Sequence, residues 1–324
     1  MNIEKYIEKI TYPHRLKPLR LLKMMWRQKS KTPICPKQPG LDGKLALVTG
    51  GNNGIGFETT KGLAERGAEV IILARNEAKS KEAIKRIGGG PNKRIHFIHL
   101  DLADLESIFK ATNEITQRFP ERKVDLVVAN AGVSPESYSK SSQGYEKSFA
   151  INVLGHHVLL RALLNKSLLQ DKAHVIALTG DIYILEKDCT PNYTYESTRD
   201  RWMAYCRSKL GVVWWAHELL RKHPNLSVNL VHPGAVATSF YGERHGSVGR
   251  FFRKAVMLTP EAGAQTTLVC ATQPGIKNGG YYHNTMGQVI LSSDDPGLDS
   301  KKAEEFWNLL ENITTDYINN NKLQ

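Results

Sequence analysis

From Lys44 onward, short β-branched and apolar runs alternate with segments of helical period, and this rhythm constrains the fold more than any other feature. Strand-like runs fall at 44–49, 69–75, 94–100, 124–130, 173–179 and 226–232. Helical patterns occupy 54–66, 76–87, 104–118, about 143–168 and 201–222. Parallel neighbours need crossover connections, and helical crossovers cover both sheet faces. The chain is therefore expected to be α/β, with a doubly wound, mostly seven-stranded parallel sheet and helices on both faces. With no internal repeat, one such domain is expected over 41–295, between a segment at 1–40 and a C-terminal helix and tail at 296–324.

The first strand ends in Thr49-Gly50-Gly51-Asn52-Asn53-Gly54-Ile55-Gly56 and runs directly into a helix. Glycine lets a backbone turn tightly against a pyrophosphate, and the helix start offers unpaired N–H groups and a positive dipole end. A glycine-rich stretch alone is weak evidence, but after a strand and before a helix it is a Rossmann-type dinucleotide signature. The second strand ends at Arg75, where an acidic residue would grip the ribose 2′-hydroxyl of NAD. A guanidinium there suits a 2′-phosphate, so NADP(H) is favoured. Stacking of Arg75 on the adenine would leave NAD(H) open.

Together with Tyr205-Cys206-Arg207-Ser208-Lys209 downstream, this turn resembles the short-chain dehydrogenase/reductase family over about residues 42–290. Asp101-Leu102, Asn130-Ala131-Gly132 and Pro233-Gly234 stand in family order, and Asn152-Val153-Leu154-Gly155-His156-His157 is similar to the retinol-dehydrogenase-like subgroup. The resemblance implies that Asp101 and Leu102 reach the adenine. It implies that Asn130, Ala131 and Gly132 line the path to the nicotinamide ribose. It also implies that Pro233, Gly234, Val236 and Thr238 contact the nicotinamide, and that Asn152 organises a proton path through Lys209.

Tyr205 and Lys209 are four apart on a helix, hence on one face. A free phenol, with a pKa near about 10, is a poor base at neutral pH. A neighbouring ammonium and an oxidised nicotinamide favour the phenolate. Tyr205 is thus expected to exchange a proton with an alcohol or carbonyl while hydride passes, and the resemblance implies that Lys209 also holds the nicotinamide ribose.

One family feature is missing. The fifth strand ends Ala177-Leu178-Thr179-Gly180-Asp181, so Gly180 takes the place of the serine that hydrogen-bonds the substrate oxygen. Thr179 would serve instead if the strand end were bulged by one residue. Asp181 is a poor substitute, because a carboxylate opposes a developing oxyanion. A cofactor-binding protein with little turnover is the competing reading.

The net charge of +12 is concentrated in residues 1–40, where ten basic side chains face only Glu4 and Glu8. Ile3, Tyr6, Ile7 and Ile10 share one helical face; after Pro18, Leu19, Leu22, Met25 and Trp26 share another, opposite Arg20, Lys23 and Arg27. Such a segment suits either an anionic membrane surface, through residues 1–30, or packing on the enzyme body or a second subunit. A nucleic-acid partner is not expected, since no recognition module stands behind the charge. No run is long and apolar enough to cross a bilayer, and four scattered cysteines give neither a disulfide framework nor a metal-ligand spacing. An intracellular location, cytoplasmic or peripheral to a membrane, is expected, with dimers or tetramers usual in the resembled family, a homodimer among them. Tyr183, Tyr193, Tyr195 and Trp202, then Phe240, Tyr241, Phe251 and Phe252, follow strand ends where such sheets bind substrate. They suggest a hydrophobic alcohol, aldehyde or ketone.

Overall fold

The computed structural model describes residues 2–11, 26–88, 94–134, 137–190, 197–237 and 256–321. The strands are β1 (Ile10–Thr11), β2 (Leu45–Thr49), β3 (Glu69–Ala74), β4 (Ile95–His99), β5 (Val124–Ala129), β6 (Leu169–Leu178), β7 (Ser227–His232), β8 (Tyr281–His283) and β9 (Gly287–Val289). The helices that frame them are α1 (Ile3–Ile7), α2 (Gly54–Ala64), α3 (Glu77–Ile87), α4 (Leu105–Arg118), α5 (Gly155–Asn165), α6 (Thr198–Lys222), α7 (Pro260–Thr272) and α8 (Ser300–Asn321).

Among the described residues the nine strands form one sheet in the order β1-β9-β8-β7-β6-β5-β2-β3-β4. The run from β8 to β4 is parallel throughout and matches the seven strands expected. The expected count of seven is corrected to nine by two reversed strands at one edge. β9 folds back antiparallel on β8, and β1 adds to β9 with Ile10 opposite Gln288. Strand order reverses at β2, whose neighbours are β3 and β5, so a crevice opens at the carboxyl end of β2.

Alternation along β2 explains the two layers. Leu45 and Leu47 join Ile71, Leu73, Val158, Leu210 and Phe306 in one core, while Ala46 and Val48 join Leu63, Leu268 and Val269 in the other. Each fully buried leucine or valine contributes about 1.5–3 kcal/mol by leaving water. Because both faces are covered, the strands read as apolar runs rather than as an in–out alternation.

The long helix expected over 143–168 is interrupted. A short helical turn at Lys147–Phe149 passes into a π-helical turn at Ala150–Leu154, and only then does α5 begin. Single π turns inside helices recur at functional sites. This one carries Asn152.

Residues 3–11 pack on the body. Tyr6 is wholly buried, and its hydroxyl donates to the His283 carbonyl at 2.8 Å. Residues 26–31 form another helical segment in which Gln28 is buried and Trp26 is 68% exposed. The amphipathic pattern from Leu19 to Met25 lies outside the described residues.

Candidate active site

The crevice at the end of β2 is a cleft of about 790 Å³, and it gathers twelve of the residues named from sequence. Gly50, Asn52, Asn53, Gly54, Ile55 and Gly56 form one wall, and Arg75, Asp101, Leu102, Asn130, Ala131 and Gly132 the rest. Glycine is required at Gly56: a Cβ there would sit 2.2 Å from the Gly50 carbonyl oxygen and 2.5 Å from Asn130 Nδ2. Gly50 turns at φ +64, a region side chains avoid. The turn is tied down by Thr49, whose Oγ1 accepts the backbone N–H groups of Asn130 and Ala131 at 3.0 and 2.9 Å. Asn130 Nδ2 returns a bond to the Thr49 carbonyl at 2.8 Å. The bare glycine wall and the start of α2 fit a pyrophosphate.

Arg75 stands at the far end, 56% exposed, with Nη1 3.9 Å from Asp101 Oδ2. A pair this open contributes little to stability, which leaves the guanidinium available to a ligand. Lys79 and Lys147 also line the cleft, although sequence reasoning did not single them out. Their signal was a helical spacing indistinguishable from that of any solvated lysine.

Tyr205 and Lys209 do not line this cleft but stand beyond its Gly132 end. A Cβ on Gly132 would be 3.5 Å from Lys209 Nζ and 3.4 Å from Asn152 Oδ1. Lys209 Nζ lies 5.6 Å from the centre of the Tyr205 ring and donates to the Leu178 carbonyl at 3.0 Å. Burial pushes its ammonium down to about 8. Tyr205 is 9% exposed, and its ring lies tilted at 45° to that of Trp202, with centroids 5.8 Å apart. Asn152 straps the site together. Its Oδ1 accepts the Val133 N–H at 2.8 Å, and its Nδ2 donates to Ser208 Oγ at 2.8 Å. The π turn thus sets the loop after β5 against the helix that carries Tyr205 and Lys209.

Thr179 is not brought into the site by its hydroxyl. Oγ1 donates to the Lys209 backbone carbonyl at 2.9 Å, and the residue is 3% exposed. The β6–β7 register runs unbroken through Leu178 opposite Val231, so the bulge that would have re-aimed Thr179 is missing; the register shift of β6 lies at its other partner, β5, between Val124 and Leu126. Gly180 leaves open space. A Cβ there would have only Ile182 Cγ1 at 3.8 Å and His232 Nδ1 at 3.9 Å within ordinary contact.

Asp181 closes a polar cluster with His232 and His283. It accepts the Tyr281 hydroxyl at 2.7 Å and His283 Nε2–H at 3.1 Å, and its own N–H donates to His232 Nδ1 at 3.2 Å. Burial raises the Asp181 carboxyl, but His232, His283 and the Tyr281 hydroxyl more than offset that and hold it below the ordinary range. Ligand atoms of the three residues lie within 4.8 Å of one another, close enough for an ion. The nitrogen lone pairs that would bind one are already engaged: His232 Nδ1 with Asp181 N–H, and His283 Nδ1 with Thr285 N–H at 3.1 Å. The cluster is therefore a hydrogen-bonded network.

Beyond β7, Pro233, Gly234 and Val236 also lie outside the cleft lining, and Thr238 lies outside the described residues, as do Tyr193, Tyr195 and the aromatic positions 240–252. An unexpected residue fixes this segment. Gln28 Oε1 accepts the Ala235 N–H at 3.0 Å, while its Nε2 donates to the Val256 carbonyl at 2.9 Å. Nothing in the sequence around Gln28 signals a contact 207 residues away. A core place, the ordinary expectation for Trp202, Trp214 and Trp215, holds for Trp214 and Trp215 but is corrected for Trp202, which is 36% exposed.

The model of the short chain dehydrogenase family matches residues 44–246. The chain belongs to the short-chain dehydrogenase/reductase family. Retinol dehydrogenase 11 of Mus musculus is 33% identical over 251 residues, covering 76% of this chain and 78% of that protein. Retinol dehydrogenase 12 of Homo sapiens is 32% identical over 284 residues, covering 85% and 88%. Among solved structures, an uncharacterized protein from Mycobacterium paratuberculosis aligns with a TM-score of 0.67 at 24% identity, over 86% of this chain and 95% of that one. A short chain dehydrogenase from Burkholderia cenocepacia, solved in complex with NADP, aligns with a TM-score of 0.59 at 22% identity, over 75% and 96%. The chain is a retinol-dehydrogenase-like member of the family and an NAD(P)-dependent oxidoreductase.

Proposed function

We propose that this dehydrogenase interconverts a hydrophobic alcohol and its aldehyde or ketone, with NADP(H) as cofactor and Tyr205 as the acid/base. The observation that carries the reading is the buried Tyr205–Lys209 pair, one helical turn apart, at the Gly132 end of the dinucleotide cleft. Bound cofactor supplies or takes up the hydride. The chain's own residues do the rest: Tyr205 gives its proton to the carbonyl oxygen, or takes one from the alcohol. The Lys209 ammonium steadies the phenolate, and Asn152 holds the loop and helix in register. Arg75, with Lys79 beside it in the lining, supports a 2′-phosphate and hence NADP(H).

The substrate class is supported by a second cavity of about 610 Å³ over the carboxyl ends of β6 and β8. Ile184, Leu185, Met286, Leu291 and Leu298 form its apolar part, and Asp181, Asp294, Asp295, Asp299, Lys187 and Lys302 are among its polar residues. An aliphatic or isoprenoid chain suits the apolar part. Contact of the basic segment with an anionic membrane belongs to the same reading, supported by exposed Trp26 beside Arg27.

NADPH oxidation with a panel of medium-chain and isoprenoid aldehydes tests the proposal, with Tyr205→Phe as control. Turnover lost in Tyr205→Phe while NADPH still binds supports it. Equal turnover in the two proteins refutes the role of Tyr205. The open Gly180 position favours a second reading, a cofactor-binding protein of little turnover, which tight NADPH binding without activity on any carbonyl would establish.

A further inference from the structure

The vacant serine place has a polar neighbour. Apart from its own chain neighbours, the polar atom nearest a Cβ built on Gly180 is His232 Nδ1, at 3.9 Å. The imidazole is held on two sides. Its Nδ1 accepts the Asp181 N–H at 3.2 Å, and its face stacks on His283 at 4.6 Å and 26°. His283 is in turn fixed by Asp181 and Thr285. Since Nδ1 is an acceptor, the neutral ring carries its hydrogen on Nε2. Among the described residues nothing accepts from that Nε2–H, although the side chain is only 17% exposed.

We infer that His232 Nε2–H is the donor that hydrogen-bonds the substrate oxygen in place of the missing serine hydroxyl. This rests on the carbonyl chemistry proposed at Tyr205. As hydride reaches the carbonyl carbon, the C=O electron pair moves to oxygen, which takes the Tyr205 proton; His232 donates a hydrogen bond throughout and neither gains nor loses a proton. A neutral imidazole suits the task, because a fixed N–H stabilises developing negative charge without competing for the proton. Burial, with smaller pushes from His283 and the Lys209 ammonium, lowers its pKa against the pull of Asp181 to about 4, which keeps the ring neutral at working pH. Thr179 leaves the role open, its hydroxyl being bonded to the Lys209 carbonyl.

Two substitutions separate the donor from a merely structural ring. His232→Asn keeps an acceptor for the Asp181 N–H but has no group at the Nε2 place, whereas His232→Gln carries an amide donor there. With nonanal as substrate, His232→Asn should lower kcat by about 10²–10³-fold, the usual loss for one oxyanion donor, while NADPH affinity stays unchanged. His232→Gln should retain more activity than His232→Asn. Adding Gly180→Ser to His232→Asn should recover at least about tenfold by returning a hydroxyl to the serine place. Nonanamide, an unreactive carbonyl, gives a readout free of turnover. It should bind the NADPH complex more weakly in His232→Asn, and in the unsubstituted protein it should shift the 15N resonance of His232 Nε2. Wild-type kcat in His232→Asn, no recovery with Gly180→Ser, or an unmoved Nε2 resonance would each overturn the inference. Inactivity of the unsubstituted protein on every aldehyde defeats the proposed function instead, and the nonanamide measurements still decide on His232.

Discussion

Replacing Lys209 with methionine should stabilise the cofactor-free protein at neutral pH and abolish turnover, and the stabilisation should disappear in alkaline solution. Lys209 is buried, and burial alone lowers its ammonium from 10.5 to about 8. Each pKa unit corresponds to about 1.4 kcal/mol, so holding the charge in place costs about 3 kcal/mol below pH 8. The sign follows from proton counts. Between pH 8 and 10.5 the unfolded chain keeps a proton on this lysine that the folded protein has released, so stability rises with pH across that window. Methionine occupies the stem and removes the charge, but it forfeits the bond from Nζ to the Leu178 carbonyl. An unmatched buried carbonyl costs about 1–2 kcal/mol. The net gain is therefore about 1–2 kcal/mol near pH 6.5, and by pH 10 it should fall to zero or reverse. Urea unfolding of both proteins at the two pH values measures the difference, with a Tm shift of about 2–4 °C per kcal/mol as a cross-check. A stability difference that stays constant between pH 6.5 and 10 refutes the argument, because it would mean that Lys209 carries no burial penalty.

Arg75→Ala should weaken NADPH binding by about 10–100-fold, the equivalent of a charge-assisted hydrogen bond, and leave NADH affinity within a factor of about three; isothermal titration of both nucleotides reads it, and equal losses would assign Arg75 to adenine stacking. Gln28→Leu removes the partners of the Ala235 N–H and the Val256 carbonyl, so stability should fall by about 1–3 kcal/mol. Hydrogen exchange at Ala235 should accelerate with it, and an unchanged exchange rate would show that the segment after β7 is held by other contacts.

The three-residue β8 gave no local run, but the other six parallel strands were legible from apolar and β-branched stretches such as those of β2 and β3, which are covered on both faces. The two added strands were not. β1 and β9 are two and three residues long, and their pairing of Ile10 with Gln288 spans nearly the whole chain, so no local pattern announces it. The break before α5 is illegible for a related reason: Ala150–Leu154 is as apolar as a regular helix, and the π turn shows only in how Asn152 reaches both Val133 and Ser208. The dinucleotide cleft was the most readable part of the site. Its requirement is on the backbone, and a glycine such as Gly56, which no larger residue can replace without striking Gly50, leaves its mark in the sequence.

Side-chain chemistry was read less well wherever tertiary neighbours decide a residue's role. By sequence, Thr179 and Asp181 were rivals for the place left by Gly180. Their backbones do sit beside it, yet neither offers a free donor. Thr179 spends its hydroxyl on the helix that bears Lys209, and Asp181 acts as an organiser, with its amide fixing one imidazole and its carboxylate another. The absence of serine is therefore poor evidence of an idle site. A hydroxyl at position 180 would be one donor among rigid neighbours, and the network around Asp181 already presents a rigid one. Whether the family chemistry survives in this chain turns on the hydrogen at His232 Nε2, an atom whose direction is set by the carboxyl ends of β6, β7 and β8 together and by no single stretch of sequence.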